Sequence, residues 1–145
     1  MRILLDTSII VEIDRGNRNT IDLIKKLMVQ RDDLVISTVT VAEILTGSYL
    51  RADTKEAVLK AKEVINQFIW KEIDGETAEI AAKLFSALII DKKWDQIEYA
   101  DILIAASAVS AGCDFVLTLN KKDFVLFQTL EKKVYTPEEF SRIKI

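Results

Sequence analysis

Apolar residues are spaced along this chain in two ways. Short runs without a polar face read as strands: Arg2 to Leu5, Leu34 to Ser37, a weaker Ile69 to Ile73, Phe115 to Leu119, and Lys133 to Tyr135. Between them the spacing turns helical. Thr7 or Ser8 caps a short helix through Asp14, and Asn19 or Thr20 caps another with Ile21, Ile24, Leu27 and Met28 on one face. Helices are expected over Thr38 to about Leu50 and Thr54 to about Phe68, the latter with Ala57, Val58, Ala61, Ile65 and Phe68 on one stripe. Two more run from Glu76 to about Asp91 and from Ala100 to Ala111. In the last, only Asp101, Ser107 and Ser110 are polar, which marks a buried helix. A short helix over Lys121 to Phe127 follows, and Thr136-Pro137-Glu138-Glu139 opens a final one with Pro in its first turn. Strands buried on both faces and alternating with helices predict a doubly wound α/β fold with a parallel sheet.

Composition narrows what such a fold can do. The 145 residues, half of them hydrophobic, suffice for one domain over 1–145. Lys and Arg number 20 against 23 Asp and Glu, a net charge of −3, so this is not a generally basic nucleic-acid binder. There is no histidine and one cysteine, Cys113. That excludes Ser-His-Asp and Cys-His catalysis, histidine acid–base chemistry and multi-cysteine metal centres. It excludes an intrachain disulfide too, in keeping with a reducing, cytoplasmic setting. The four glycines are too far apart for a phosphate-binding loop, and no apolar run is long enough for a signal peptide or a membrane span. Chemistry must come from carboxylates, hydroxyls, amides, Lys, Arg or a bound ion.

Carboxylates are common here, so their company matters more than their number. An unpaired buried carboxylate is costly. Asp6 lies between Ile3-Leu4-Leu5 and Thr7-Ser8-Ile9-Ile10, Glu43 within Val39-Thr40-Val41-Ala42-Glu43-Ile44-Leu45, and Asp101 at the head of Ile102-Leu103-Ile104-Ala105-Ala106. Each has a plain structural alternative: a chain turn for Asp6, an ion pair for Glu43, an N-cap or a first-turn acid favoured by the helix dipole for Asp101. Asp123, in a lysine-flanked turn after the fourth strand, has solvation as its alternative. Jointly, the acids fall at the carboxyl edge of a parallel sheet, where such sheets bind ligands. Four carboxylates in one cleft would raise one another's pKa values unless a cation neutralised them, and an oxygen-only donor set suits Mg²⁺ or Mn²⁺. A phosphodiester attacked by a metal-activated water is the matching substrate.

At these residues the chain resembles the PIN domain family, and within it the VapC-type toxins of toxin–antitoxin modules. The resemblance runs over essentially the whole chain through Leu4-Leu5-Asp6-Thr7-Ser8, Thr40-Val41-Ala42-Glu43-Ile44, Ala100-Asp101-Ile102-Leu103-Ile104-Ala105-Ala106 and Leu117-Thr118-Leu119-Asn120-Lys121-Lys122-Asp123-Phe124. The chain differs in carrying Leu119 where an Arg is common in those toxins. The resemblance implies a three-layer α/β/α fold with a central parallel sheet of four to five strands. It implies a metal-dependent endoribonuclease whose acidic centre is Asp6, Glu43, Asp101 and Asp123, holding one or two Mg²⁺ or Mn²⁺ ions. Ser8 and Thr7 would support the acids through hydroxyl hydrogen bonds, and Thr118 and Asn120 would line the same pocket. RNA as substrate, a small antitoxin and a homodimer are implied as partners.

Further expectations attach to the surface. Ile9, Ile10 and Ile13 with Ile24, Leu27 and Met28 are candidate walls of an antitoxin groove. Arg15-Gly16-Asn17-Arg18, Lys92-Lys93-Trp94 and Lys121-Lys122 are candidate basic rims, with Trp94 or Tyr99 available to stack a base. The alternatives are a PIN nuclease of RNA processing and a catalytically inactive PIN binding module. A haloacid-dehalogenase-type phosphatase is disfavoured by Ser8, where a second Asp would be needed. Ser141-x-x-Lys144 matches a Ser-Lys nucleophile pattern only formally.

Overall fold

The computed structural model describes residues 1–143, so Lys144 of the Ser-Lys pattern lies outside the described residues. Among these residues the strands are β1 (Arg2–Leu5), β2 (Asp33–Ser37), β3 (Ile69–Lys71), β4 (Phe115–Leu117) and β5 (Val134–Tyr135). They form one parallel sheet in the order β3-β2-β1-β4-β5. A parallel neighbour must be reached by a crossover. Helices α1 (Thr7–Asp14) and α2 (Arg18–Val29) join β1 to β2, and α3 (Thr38–Tyr49) and α4 (Thr54–Ile65) join β2 to β3. The chain then returns through α5 (Gly75–Ile90) and α6 (Tyr99–Ser110) to β4 on the other side of β1. The short α7 (Lys121–Phe124) precedes β5, and α8 (Pro137–Arg142) follows it.

Alternation along the strands divides the core into two layers. Ile3, Leu5, Leu34, Ile36 and Leu117 pack with α1 to α4 and α8, while Leu4, Val35, Val116 and Val134 pack with α5 to α7. Register places Leu4 beside Val35 on one flank and beside Val116 on the other, so β1 is central and dry. Each fully buried Leu or Ile contributes about 1.5–3 kcal/mol of burial. The three-layer α/β/α architecture with a five-stranded parallel sheet is the one expected.

Element ends differ from the sequence expectation in instructive ways. Asn17, not Asn19 or Thr20, caps α2: its side chain accepts the Thr20 N–H at 3.2 Å, so the helix starts at Arg18. β4 ends at Leu117, and the Thr118 N–H still reaches the Tyr135 carbonyl, leaving Leu119 and Asn120 to turn over the sheet edge. α7 ends at Phe124, after which the chain passes into a 3₁₀ turn over Gln128–Leu130. Four helices, α1, α2, α5 and α6, stop in one way, with paired backbone bonds that close on a residue in the left-handed region. Gly16 and Gly112 take that position after α1 and α6, Arg31 and Lys92 after α2 and α5. Cys113 follows Gly112, buried, with its thiol pushed up to about 11 by burial.

Candidate functional site

Asp6 follows the central strand, and its N–H donates to the Leu117 carbonyl of β4 at 3.0 Å. It occupies the N-cap position of α1, yet its side chain makes no capping hydrogen bond. The carboxylate, 2% exposed, instead accepts from Ser8 Oγ and from Thr118 Oγ1, both to Oδ2 at 2.8 Å. Each hydroxyl is fixed in turn: the Leu119 N–H donates to Ser8 Oγ and the Asn120 N–H to Thr118 Oγ1, at 3.0 Å each. Backbone, hydroxyl and carboxylate thus stitch the ends of β1 and β4 together. Asp6 Oδ1 has no hydrogen-bond partner among the described residues.

Glu43 stands on α3. Thr7 Oγ1 donates to its Oε1 at 2.8 Å and lies 2.9 Å from Thr40 Oγ1, so with its own proton committed to Glu43, Thr7 accepts from Thr40. No ion pair forms at Glu43, Asp6, Asp101 or Asp123 among the described residues, which removes the ion-pair alternative for Glu43. Asp101 lies in the first turn of α6, where Glu98 and not Asp101 takes the cap position. Burial pushes its carboxyl up to about 7, and the charges of Asp6, Asp123, Glu43 and Glu98 push the same way. Asp123 is carried by α7, which is anchored by the fully buried Phe124 beside it.

All four acids, with Thr7, Ser8 and Asn120, line one cleft of about 750 Å³ at the carboxyl ends of β1 and β4. Strand order reverses there, and both crossovers leave the edge open. Thr118 lies buried beneath, acting through Asp6. The cleft holds three further acids that the sequence did not single out, Glu12, Asp95 and Glu98. Glu12 alternates with Ile9, Ile10 and Ile13 on a short amphipathic helix, a setting in which an acid reads as solvated, and Asp95 and Glu98 lie in a polar loop.

Oxygen donors dominate the cleft, and Asp101 is held near neutrality partly by its acidic neighbours, which a cation would relieve. Among the described residues no three acids close into a ready-made metal cage. Mg²⁺ keeps several waters and needs one or two carboxylates, so the donor set fits such an ion with coordination positions left over.

Of the basic candidates, Arg15 and Lys122 line the cleft. Lys121 is engaged elsewhere, paired with Glu139 at 3.0 Å and lying over the Tyr135 ring, and Arg18, Lys92, Lys93 and Trp94 do not line the cleft. Tyr99 and Trp94 are exposed, but the Tyr99 ring packs edge-on against Phe85. The proposed groove walls are corrected: Ile9 and Ile10 are 0% exposed, Ile24 and Leu27 nearly so, and Ile13 and Met28 pack against them. They are core, because α1 and α2 turn these faces onto the sheet.

Fold and site together define a parallel α/β protein whose acids converge where the strand order reverses. The PIN domain family model matches residues 3–128, and the chain belongs to that family. It is 30% identical over 134 residues to Ribonuclease VapC of Rickettsia bellii (strain RML369-C), a match covering 90% of this chain and 94% of that protein. Among solved structures, FitAcB from Neisseria gonorrhoeae superposes with a TM-score of 0.77 at 27% identity, covering 94% of this chain and 98% of that one. VapBC2 from Rickettsia felis, solved bound to a DNA fragment from its promoter, superposes with a TM-score of 0.84 at 18% identity over the same shares, a likeness of fold. No helix among the described residues is long and apolar enough to cross a membrane.

Proposed function

We propose that this chain is a Mg²⁺- or Mn²⁺-dependent endoribonuclease, the toxin of a type II toxin–antitoxin pair, working in the cytoplasm. The observation that carries it is the buried Asp6, freed from capping and oriented by two hydroxyls, in a cleft shared with Glu43, Asp101 and Asp123. The similarity to a VapC ribonuclease supports the assignment to RNA, and a small antitoxin partner belongs to the same reading. A homodimer completes the reading.

Asp6, Glu43, Asp101 and Asp123 would hold one or two ions, which when bound acidify water and neutralise charge growing on the phosphate. The chain's own part is orientation. Ser8 and Thr118 both donate to Asp6 Oδ2, so Oδ1 is the oxygen that would be free to hold an ion, and Thr7 orients Glu43 through a single hydrogen bond to Oε1. Asn120 lies on the cleft rim, its N–H holding Thr118 in position. Arg15 and Lys122 supply positive charge to meet a backbone phosphate.

The test is incubation with tRNA and rRNA, with and without Mn²⁺, beside Asp6→Asn. Wild type should cut RNA only with metal and Asp6→Asn should not cut. Mn²⁺ should raise the melting temperature of wild type and much less that of the variant. Equal behaviour of the two proteins would sink the proposal.

A further inference from the structure

A second hollow, of about 760 Å³, adjoins the acidic cleft, for Glu12 and Leu119 line both. One wall is a single face of α2, where Asn19, Asp22 and Lys26 recur at helical spacing. All three are exposed, and the buried Thr20 and Leu23 line the same hollow beside them. The opposite wall is α8, with Pro137, Ser141 and Glu138, whose carboxylate is paired with Arg142. The acidic cleft makes no use of this space.

Its chemistry is specific. Glu12 Oε2 accepts from Thr20 Oγ1 at 2.7 Å, which fixes that carboxylate on the boundary between the two hollows. Asp22 adds a second acceptor, the Asn19 amide offers both donor and acceptor, and Lys26 forms no ion pair among the described residues. Leu119 stands on the same boundary, 46% exposed, with its backbone held by Ser8. Carboxylates repel a phosphate but accept hydrogen bonds from exocyclic amino groups of cytosine, adenine and guanine. Uracil has no amino group, and its one ring N–H on that edge is flanked by two carbonyl oxygens that a carboxylate repels. A hollow of this size holds a nucleoside, and unpaired RNA bases are read by packing one face and bonding one edge.

We propose that this hollow is a base-reading subsite: it takes the unstacked base of a nucleotide flanking the bond cut in the acidic cleft, packs it on Leu119, and selects an amino-bearing base over uracil through Asp22 and Asn19. Lys26 meets a neighbouring phosphate. The inference rests on the nuclease reading above and adds its sequence preference.

The experiment uses a pool of short single-stranded RNAs randomised at every position, cut with Mn²⁺ by wild type, Asn19→Ala, Asp22→Asn and Lys26→Ala, with cut sites read by sequencing. These side chains are exposed, and circular dichroism checks that each variant is folded. Wild type should disfavour uracil about tenfold at one position beside the cut. Asp22→Asn and Asn19→Ala should flatten that preference, and Lys26→Ala should slow cutting of all sequences alike. A preference absent in wild type, or unchanged in Asp22→Asn and Asn19→Ala, overturns the subsite and leaves the nuclease standing. Variants that lose capture of a co-expressed antitoxin while base preference stands make the hollow a protein-docking surface and overturn it too. Wild type that cuts nothing overturns both.

Discussion

Asp6 is oriented by the hydroxyls around it. Ser8 and Thr118 hold one of its oxygens, and outer hydrogen bonds of this kind are worth about 10–100-fold in metal affinity. Ser8→Ala and Thr118→Ala should therefore raise the Mn²⁺ concentration for half-maximal cleavage by about that factor while leaving cutting at saturating metal much less affected. Asp101 gives a prediction with a sign. Its carboxyl titrates near 7 in the folded, metal-free chain, whereas an unfolded Asp titrates near about 4. Between those values the folded state holds the extra proton, so this group's contribution to stability is full below the unfolded value and is lost as pH rises through about 7. In EDTA, the melting temperature of wild type should fall from pH 5 to pH 8 more than that of Asp101→Asn; equal slopes would count against the shift. At this scale the sequence was legible where an acid interrupts an apolar run, as at Asp6, Glu43 and Asp101. It was silent at Glu12, Asp95 and Glu98, because an acid among polar or amphipathic neighbours has no local signature and only tertiary contact brings it to the cleft.

Elements were legible in type and less so at their ends. The buried helix with Asp101 is apolar all round, and α6 packs as that pattern requires, but its start at Tyr99 is set by Glu98 in an extended conformation, which no periodicity reveals. Helix stops were hidden for a clearer reason. Glycine marks a left-handed stop, and Gly16 and Gly112 do so here, but Arg31 and Lys92 adopt the same conformation with φ of 61° and 56°. A side chain with a Cβ pays about 1–2 kcal/mol there, against about 0.5–1 kcal/mol of chain entropy for Gly. Lys92→Gly and Arg31→Gly should each raise unfolding free energy by about 0.5–1 kcal/mol in urea titrations, with no change in cleavage, since neither lines the acidic cleft.

For the whole molecule, strand composition pointed to a parallel sheet covered on both sides, but not to which strand is central; that order emerges from pairing β1 with both β2 and β4. The net charge of −3 belongs to a chain without ions, and one or two divalent cations would bring it to about −1 or +1. With Arg15 and Lys122 lining the cleft and Lys26 the adjoining hollow, an RNA bound as proposed would displace few counterions. The logarithm of affinity should fall against that of salt with a slope of about −1 to −2, and a steeper slope would show wider basic contacts. The bond from Thr118 to Asp6 spans 112 positions of chain. Synthesis proceeds from the N-terminus, so Asp6 emerges from the ribosome long before the strand and hydroxyl that orient it. Until Thr118 has emerged, the nascent polypeptide has no assembled cleft, so the acidic site is among the last features of the fold to form.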